Sequence, residues 1–177
     1  MESATTLDMT FWITGGAILA LLVLSAFFSG SETALTAASR GKLRSIADKP
    51  GAPNSKGAGR ALELKEDNER LIGGILLGNN LANILATSLA TAIFTAAFGD
   101  SGVAIATLIM TLLVLIFAEV LPKTYAITDP EGAAARTAPL IGLIITLLSP
   151  IVAGVRVIVR SVLRVFGLHI DPDDAML

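Results

Sequence analysis

Long stretches without Asp, Glu, Lys or Arg constrain this chain more than any motif does. They extend well beyond the roughly 18 residues that mark a bilayer crossing. Hydrophobic residues make up 53% of the 177, and the mean hydropathy is +0.73. In hydrocarbon a backbone must satisfy its own hydrogen bonds, which leaves helices or closed barrels, and apolar runs this long read as helices. The expected fold class is all-α integral membrane, with three transmembrane helices plus cytoplasmic juxtamembrane amphipathic helices. Aromatic residues are scarce at 5%, so small and aliphatic side chains dominate and permit close helix packing.

The remaining composition excludes more than it identifies. Lys and Arg are scattered without interleaved aromatics, which argues against nucleic acid. There is no Cys, hence no disulfide framework and no thiolate metal site. "MESATTLDMT" lacks the basic leader of a cleaved signal peptide, so the first apolar segment reads as a retained span.

The expected spans run from about 10 to 39, 71 to 98 and 103 to 127. Residues 40–70 carry eight Lys and Arg, whereas 1–39 and 71–122 carry none. The positive-inside rule therefore places that connector in the cytoplasm and the N-terminus outside. The connector has Pro, Gly, Asn and Ser at its centre and reads as two short helices joined by a turn. A fourth apolar run, "TAPLIGLIITLLSPIVAGV", is ambiguous. Were it to cross, Arg156, Arg160 and Arg164 would sit outside, against the charge rule. Those arginines share one helical face, and Pro139 and Pro150 are breakers. The pattern favours broken amphipathic helices at the cytoplasmic interface, over about 131–167, rather than a fourth span. Residues 168–177 read as a linker to cytoplasmic domains missing from this chain, and His169, the lone histidine, belongs to that polar tail.

Polar residues inside the spans are the informative exceptions. A carboxylate left in hydrocarbon costs upwards of ~2.5 kcal/mol, so it needs a protein or watery partner. In "FFSGSETAL", Ser29 and Glu32 lie with Ser25 within roughly 60° of each other on one helical stripe. Gly30 between hydroxyls is a place where the helix is expected to loosen. In "LLGNNLANILATSL", Asn79, Asn83 and Thr87 share a face. Glu119 follows the uncharged stretch 103–118, and Pro122 cannot donate to the carbonyl of Ala118. A packing notch, interhelical amide bonds and a snorkelling Glu are the plain alternatives for these three sets. Ser, Asn, Glu and carbonyl oxygens together suit a hard cation: Mg2+, Ca2+, Na+ or Mn2+. No nucleophile–base pair or phosphate loop is complete, so an enzyme is not expected.

At these residues the chain resembles a known family, the transmembrane (DUF21) domain shared by bacterial CorC proteins and the animal cyclin-M (CNNM) magnesium transporters. "FFSGSETAL", "LLGNNLANI" and "AEVLPKTYA" occur in the expected order with a basic connector after the first. The resemblance covers essentially the whole chain, with residues 1–167 as the transmembrane domain. It implies a homodimer and magnesium transport, with export coupled to Na+ entry. Carried over by motif, the metal ligands are Ser29, Asn79, Asn83 and Glu119, with Ser25 one turn earlier. Glu32 and Ser31 are assigned to a coupling ion on charge and proximity. The family's cytoplasmic CBS domains are absent here. The implied location is the inner (plasma) membrane, multi-pass, with a cytoplasmic C-terminus. A non-transporting Mg2+ sensor that regulates another transporter, and a Ca2+ or Mn2+ carrier, are the competing readings.

Overall fold

The computed structural model describes residues 2–167, with side chains from Met9 onward. The tail containing His169 and the expected linker lies outside these residues. Seven α-helices follow in order: α1 Glu2–Ala37, α2 Arg40–Ala47, α3 Ser55–Glu66, α4 Asn68–Phe98, α5 Gly102–Leu113, α6 Leu121–Thr128 and α7 Pro130–Val165. A 3-10 turn, Gly99–Ser101, separates α4 from α5, and a π-helical segment, Val114–Val120, joins α5 to α6.

Among the described residues three helical runs are long and apolar enough to cross a membrane: Met9–Ala37, Asn68–Thr128 and Pro130–Val165. The middle run is a hairpin. Gly99 has φ +62°, and a Cβ at Gly102 would fall 2.4 Å from the Phe94 carbonyl oxygen. Only glycine allows the chain to turn back this closely. α4 therefore makes one pass, and α5, the π segment and α6 together make the return.

α1 packs antiparallel to α4. Phe28 lies over Gly78, where a Cβ would approach the ring to 2.4 Å. The connector forms two short helices, α2 and α3. Lys65 in α3 donates to the Leu35 carbonyl oxygen, and Arg40 donates to that of Lys65. The last carbonyls of α1 are thus satisfied in part by a side chain of the connector. Burial, helped by the Arg40 guanidinium, holds the Lys65 ammonium below the usual lysine range.

α7 departs from expectation. It is one continuous helix through Pro139 and Pro150, where the prolines were expected to break it. Each proline removes one intrahelical bond, yet packing keeps the axis intact. Glu131 accepts from the Ser39 backbone N–H at 3.1 Å and lies 3.6 Å from Lys42. Ala133, Ala134, Ala135, Ala138 and Ile141 share a core with Ala34 and Leu35 of α1 and with Ala38 just past its end. Farther along, Ile145 fills the space at Gly74 and Val152 that at Gly73. Arg156 then pairs with Glu69 at 3.2 Å and Asp67 at 3.9 Å. The helix thus passes from the last turns of α1 to the first turns of α4.

α3 runs alongside α7 in the same direction, Gly57 against Ala135 and Arg60 against Gly142. Gly57, Ala58 and Ala61 are buried there, and such small residues are what let two helix backbones meet. A Cβ at Gly57 would lie 1.9 Å from the Ala135 oxygen, whereas at Gly59 it would meet nothing within 4 Å. Gly57→Ala should therefore cost about 1–3 kcal/mol and lower the melting temperature in detergent. Gly59→Ala should be neutral or stabilising by up to about 1 kcal/mol. Equal melting curves for the two variants would contradict this packing.

Candidate ion site

Four polar groups from three passes meet between α1, α4 and the π segment. Ser25 Oγ donates to Asn79 Oδ1 at 2.6 Å. Asn79 Nδ2 donates to Glu119 Oε1 at 3.0 Å. Ser29 Oγ donates to Glu119 Oε2 at 3.3 Å. Ser25 and Ser29 are fully buried and Asn79 nearly so. The chain positions lie 8–12 residues from the end of α1 and 11 from the start of α4, roughly 12–18 Å along the axes. The cluster thus lies two to three helical turns in from the connector-side ends of α1 and α4.

Local geometry explains the convergence. Ser25 and Ser29 are one turn apart on one face of α1, and from it Ser25 reaches Asn79 of α4 while Ser29 reaches Glu119 of the π segment. α1 stays helical through Gly30, contrary to the expected loosening. Instead a Cβ there would touch Pro122 Cβ and O at 3.4 Å, so glycine serves the approach of α6. On the return pass the Leu121 N–H reaches the Ile116 oxygen, five residues back. This wider π turn, just ahead of Pro122, carries Glu119; such bulges recur at functional sites.

Asn83 lies on the same face as Asn79, one turn away. Its Oδ1 is buried without a hydrogen-bond partner, and such orphans are costly enough to call for a ligand or water. Glu32 is half-buried and has no ion pair or hydrogen bond among the described residues. Ser31 is 1% exposed with its hydroxyl unpartnered. It sits about 200° around the helix from Ser29, so the structure does not bring it into the Ser25–Asn79–Glu119 cluster. One member was missed in the sequence reading. Lys123 Nζ lies 3.1 Å from Glu119 Oε2. The i, i+4 spacing in "EVLPK" was the available signal.

Among the described residues no group of three or more His, Cys, Asp or Glu side chains could hold a metal. Any cation here would be held by one carboxylate plus neutral oxygens. That donor set fits a hard, partly hydrated ion: Mg2+ commonly keeps several waters and uses one or two carboxylates.

These features define a helical membrane protein with a polar cluster shared by three passes. Residues 16–176 match the cyclin M transmembrane N-terminal domain, and the chain belongs to that family. It is 40% identical over 148 residues to the UPF0053 inner membrane protein YfjD of Escherichia coli, covering 84% of this chain and 34% of that protein. It is 36% identical over 154 residues to a UPF0053 protein of Haemophilus influenzae, covering 87% and 36%. A chloroplastic DUF21 domain-containing protein of Arabidopsis thaliana is 35% identical over 154 residues, covering 86% and 23%. The chain spans about a third of the length of the two bacterial relatives.

The shared bonds make a measurable prediction. Asn79→Ala leaves the Ser25 hydroxyl and one Glu119 oxygen without a partner, which should cost about 1–3 kcal/mol. In a cycle with Ser25→Ala, read by SDS unfolding, the double variant should lose less than the sum by about 0.6 kcal/mol or more. Strict additivity would mean that Ser25 and Asn79 do not interact.

Proposed function

We propose that this domain moves Mg2+ across the membrane by alternating access, as Na+-coupled export, and acts as a homodimer. The observation that carries the reading is the cluster itself: Glu119 held by Ser29 and Asn79, with Ser25 behind them. A packing notch has no use for a carboxylate, and intramembrane carboxylates commonly mark ion pathways. Asn83 Oδ1, buried and unpaired, supplies a further oxygen one turn away. Family membership makes Mg2+ the preferred cargo. Ser29, Asn79, Asn83 and Glu119, with Ser25, are the proposed ligands.

Mg2+ dehydrates reluctantly, so the protein must offer one strong charge and several neutral oxygens. Glu119 supplies the charge. Serine and asparagine oxygens replace water without adding charge that would trap the ion. Export also works against about 2.3 kcal/mol per elementary charge per 100 mV, doubled for a divalent ion. A coupling ion must supply that energy. Na+ is proposed, with Glu32 as its acidic ligand and Ser31 beside it.

The test is Mg2+ flux in liposomes under a titrated Na+ gradient. Glu119→Gln keeps the volume and removes the charge, so it should abolish most flux while the protein remains assembled. Flux in the parent should rise with the inward Na+ gradient. Mg2+ binding without flux under every gradient would favour the regulatory-sensor reading.

The proposed orientation puts the connector in the cytoplasm and the N-terminus outside, in the inner (plasma) membrane. CBS domains would follow in a longer chain. α7 is proposed to lie at the cytoplasmic interface. Its contacts at Glu131 and Arg156 reach the connector-side ends of α1 and α4. From Arg156 to Val165 the helix adds only about 14 Å, less than the ~30 Å hydrocarbon core. The chain has no Cys, so single cysteines report cleanly on sidedness. Phe166→Cys and Lys56→Cys should react with an impermeant thiol reagent from the same side. Labelling from opposite sides would require α7 to cross.

A further inference from the structure

Each amide and carboxylate oxygen in the cluster's centre already receives at least one donor, and Glu119 Oε2 receives two. Asn79 Oδ1 accepts from Ser25, and Glu119 Oε1 accepts from Asn79. Glu119 Oε2 receives Ser29 Oγ at 3.3 Å and the Lys123 ammonium at 3.1 Å. A carboxylate offers about four acceptor positions, and the two on Oε2 are both filled, so a cation that engages Oε2 must displace one of these donors. Ser29 and Asn79 are buried on packed helices. Lys123 is different: its side chain is 41% exposed, and its four-carbon stem is flexible. It is the donor free to move away from the packed helices.

We propose that Lys123 is a tethered cation that fills the ion position on Glu119 when no metal is bound and swings out when a divalent cation arrives. The inference rests on the ion-site reading of the cluster. A divalent ion and an ammonium repel each other too strongly to share Oε2. A monovalent ion carries the same charge as the ammonium and gains no charge by replacing it, whereas a divalent ion gains one. Lys123 thus discriminates for divalent cargo. It also keeps the carboxylate compensated in the ion-free protein, so the empty site never presents a naked charge to the apolar zone.

The test is calorimetric titration of MgCl2 into the purified full chain in detergent. Lys123→Gln and Lys123→Met should bind Mg2+ about two- to fivefold more tightly, as expected on removing one partly exposed ion-pair competitor. Lys123→Arg, which keeps the competing charge, should stay within about twofold of the parent. Weaker binding in the Gln and Met variants would mean that Lys123 merely supports Glu119, and would overturn the inference. A second measurement needs no variant of Lys123. Acylation of its amine, followed by mass spectrometry, should rise when MgCl2 is added to the parent and should already be high in Glu119→Gln. Unchanged acylation in a parent that binds Mg2+ overturns the exchange alone. A parent that binds no Mg2+ overturns the ion-site reading and the exchange with it.

Discussion

One carboxylate sets the terms for the transmembrane core. Glu119 stands on a predominantly apolar span as its one acidic residue, and leaving it unsatisfied there would offset much of a small domain's stability. Its partners come from other passes: Ser29 from α1 and Asn79 from α4. Satisfying it therefore fixes how α1, α4 and the α5–α6 pass sit against one another. Ser25 extends the network by holding the amide of Asn79. Because lipid gives little hydrophobic drive for helix association, such bonds and close packing must do that work.

Small residues supply the close packing. Gly78 accepts the ring of Phe28, and Gly30 admits Pro122. Both contacts lie next to cluster residues, so the backbone approach and the polar network depend on each other. At the connector side, α3 and α7 meet through glycine and alanine, and α7 ties the ends of α1 and α4 together. Movement of one pass relative to another would therefore strain either the polar cluster or this brace. The π segment is the exception. Its wider turn already departs from the ordinary i→i−4 ladder, and it carries the carboxylate.

Much was legible in the sequence because hydrophobicity and helical periodicity are local properties. Uncharged runs announced the helical membrane class, and four-residue spacing placed Ser25 beside Ser29 and Asn79 beside Asn83 on their own faces. Glu119 stood out because a lone acid in an apolar run has few benign explanations. Gly30 was misread, since a glycine between serines looks the same whether it loosens a helix or admits a neighbour. Pro139 and Pro150 misled for a similar reason. Their local cost is real, but packing along α7 outweighs it.

The amino-acid order alone thus determined the helical membrane class and which polar residues share a face, since each depends on neighbours a few positions apart. Only the tertiary structure decided that Asn79 bridges Ser25 to Glu119, that Asn83 Oδ1 is left unpaired and that Ser31 stands away from the cluster. It also decided that α7 links the ends of two other helices, and that Lys123 and Ser29 meet on one carboxylate oxygen. Those facts depend on the rotation and separation of helices whose contacting residues are 40 to 90 positions apart in the chain, which no local period encodes.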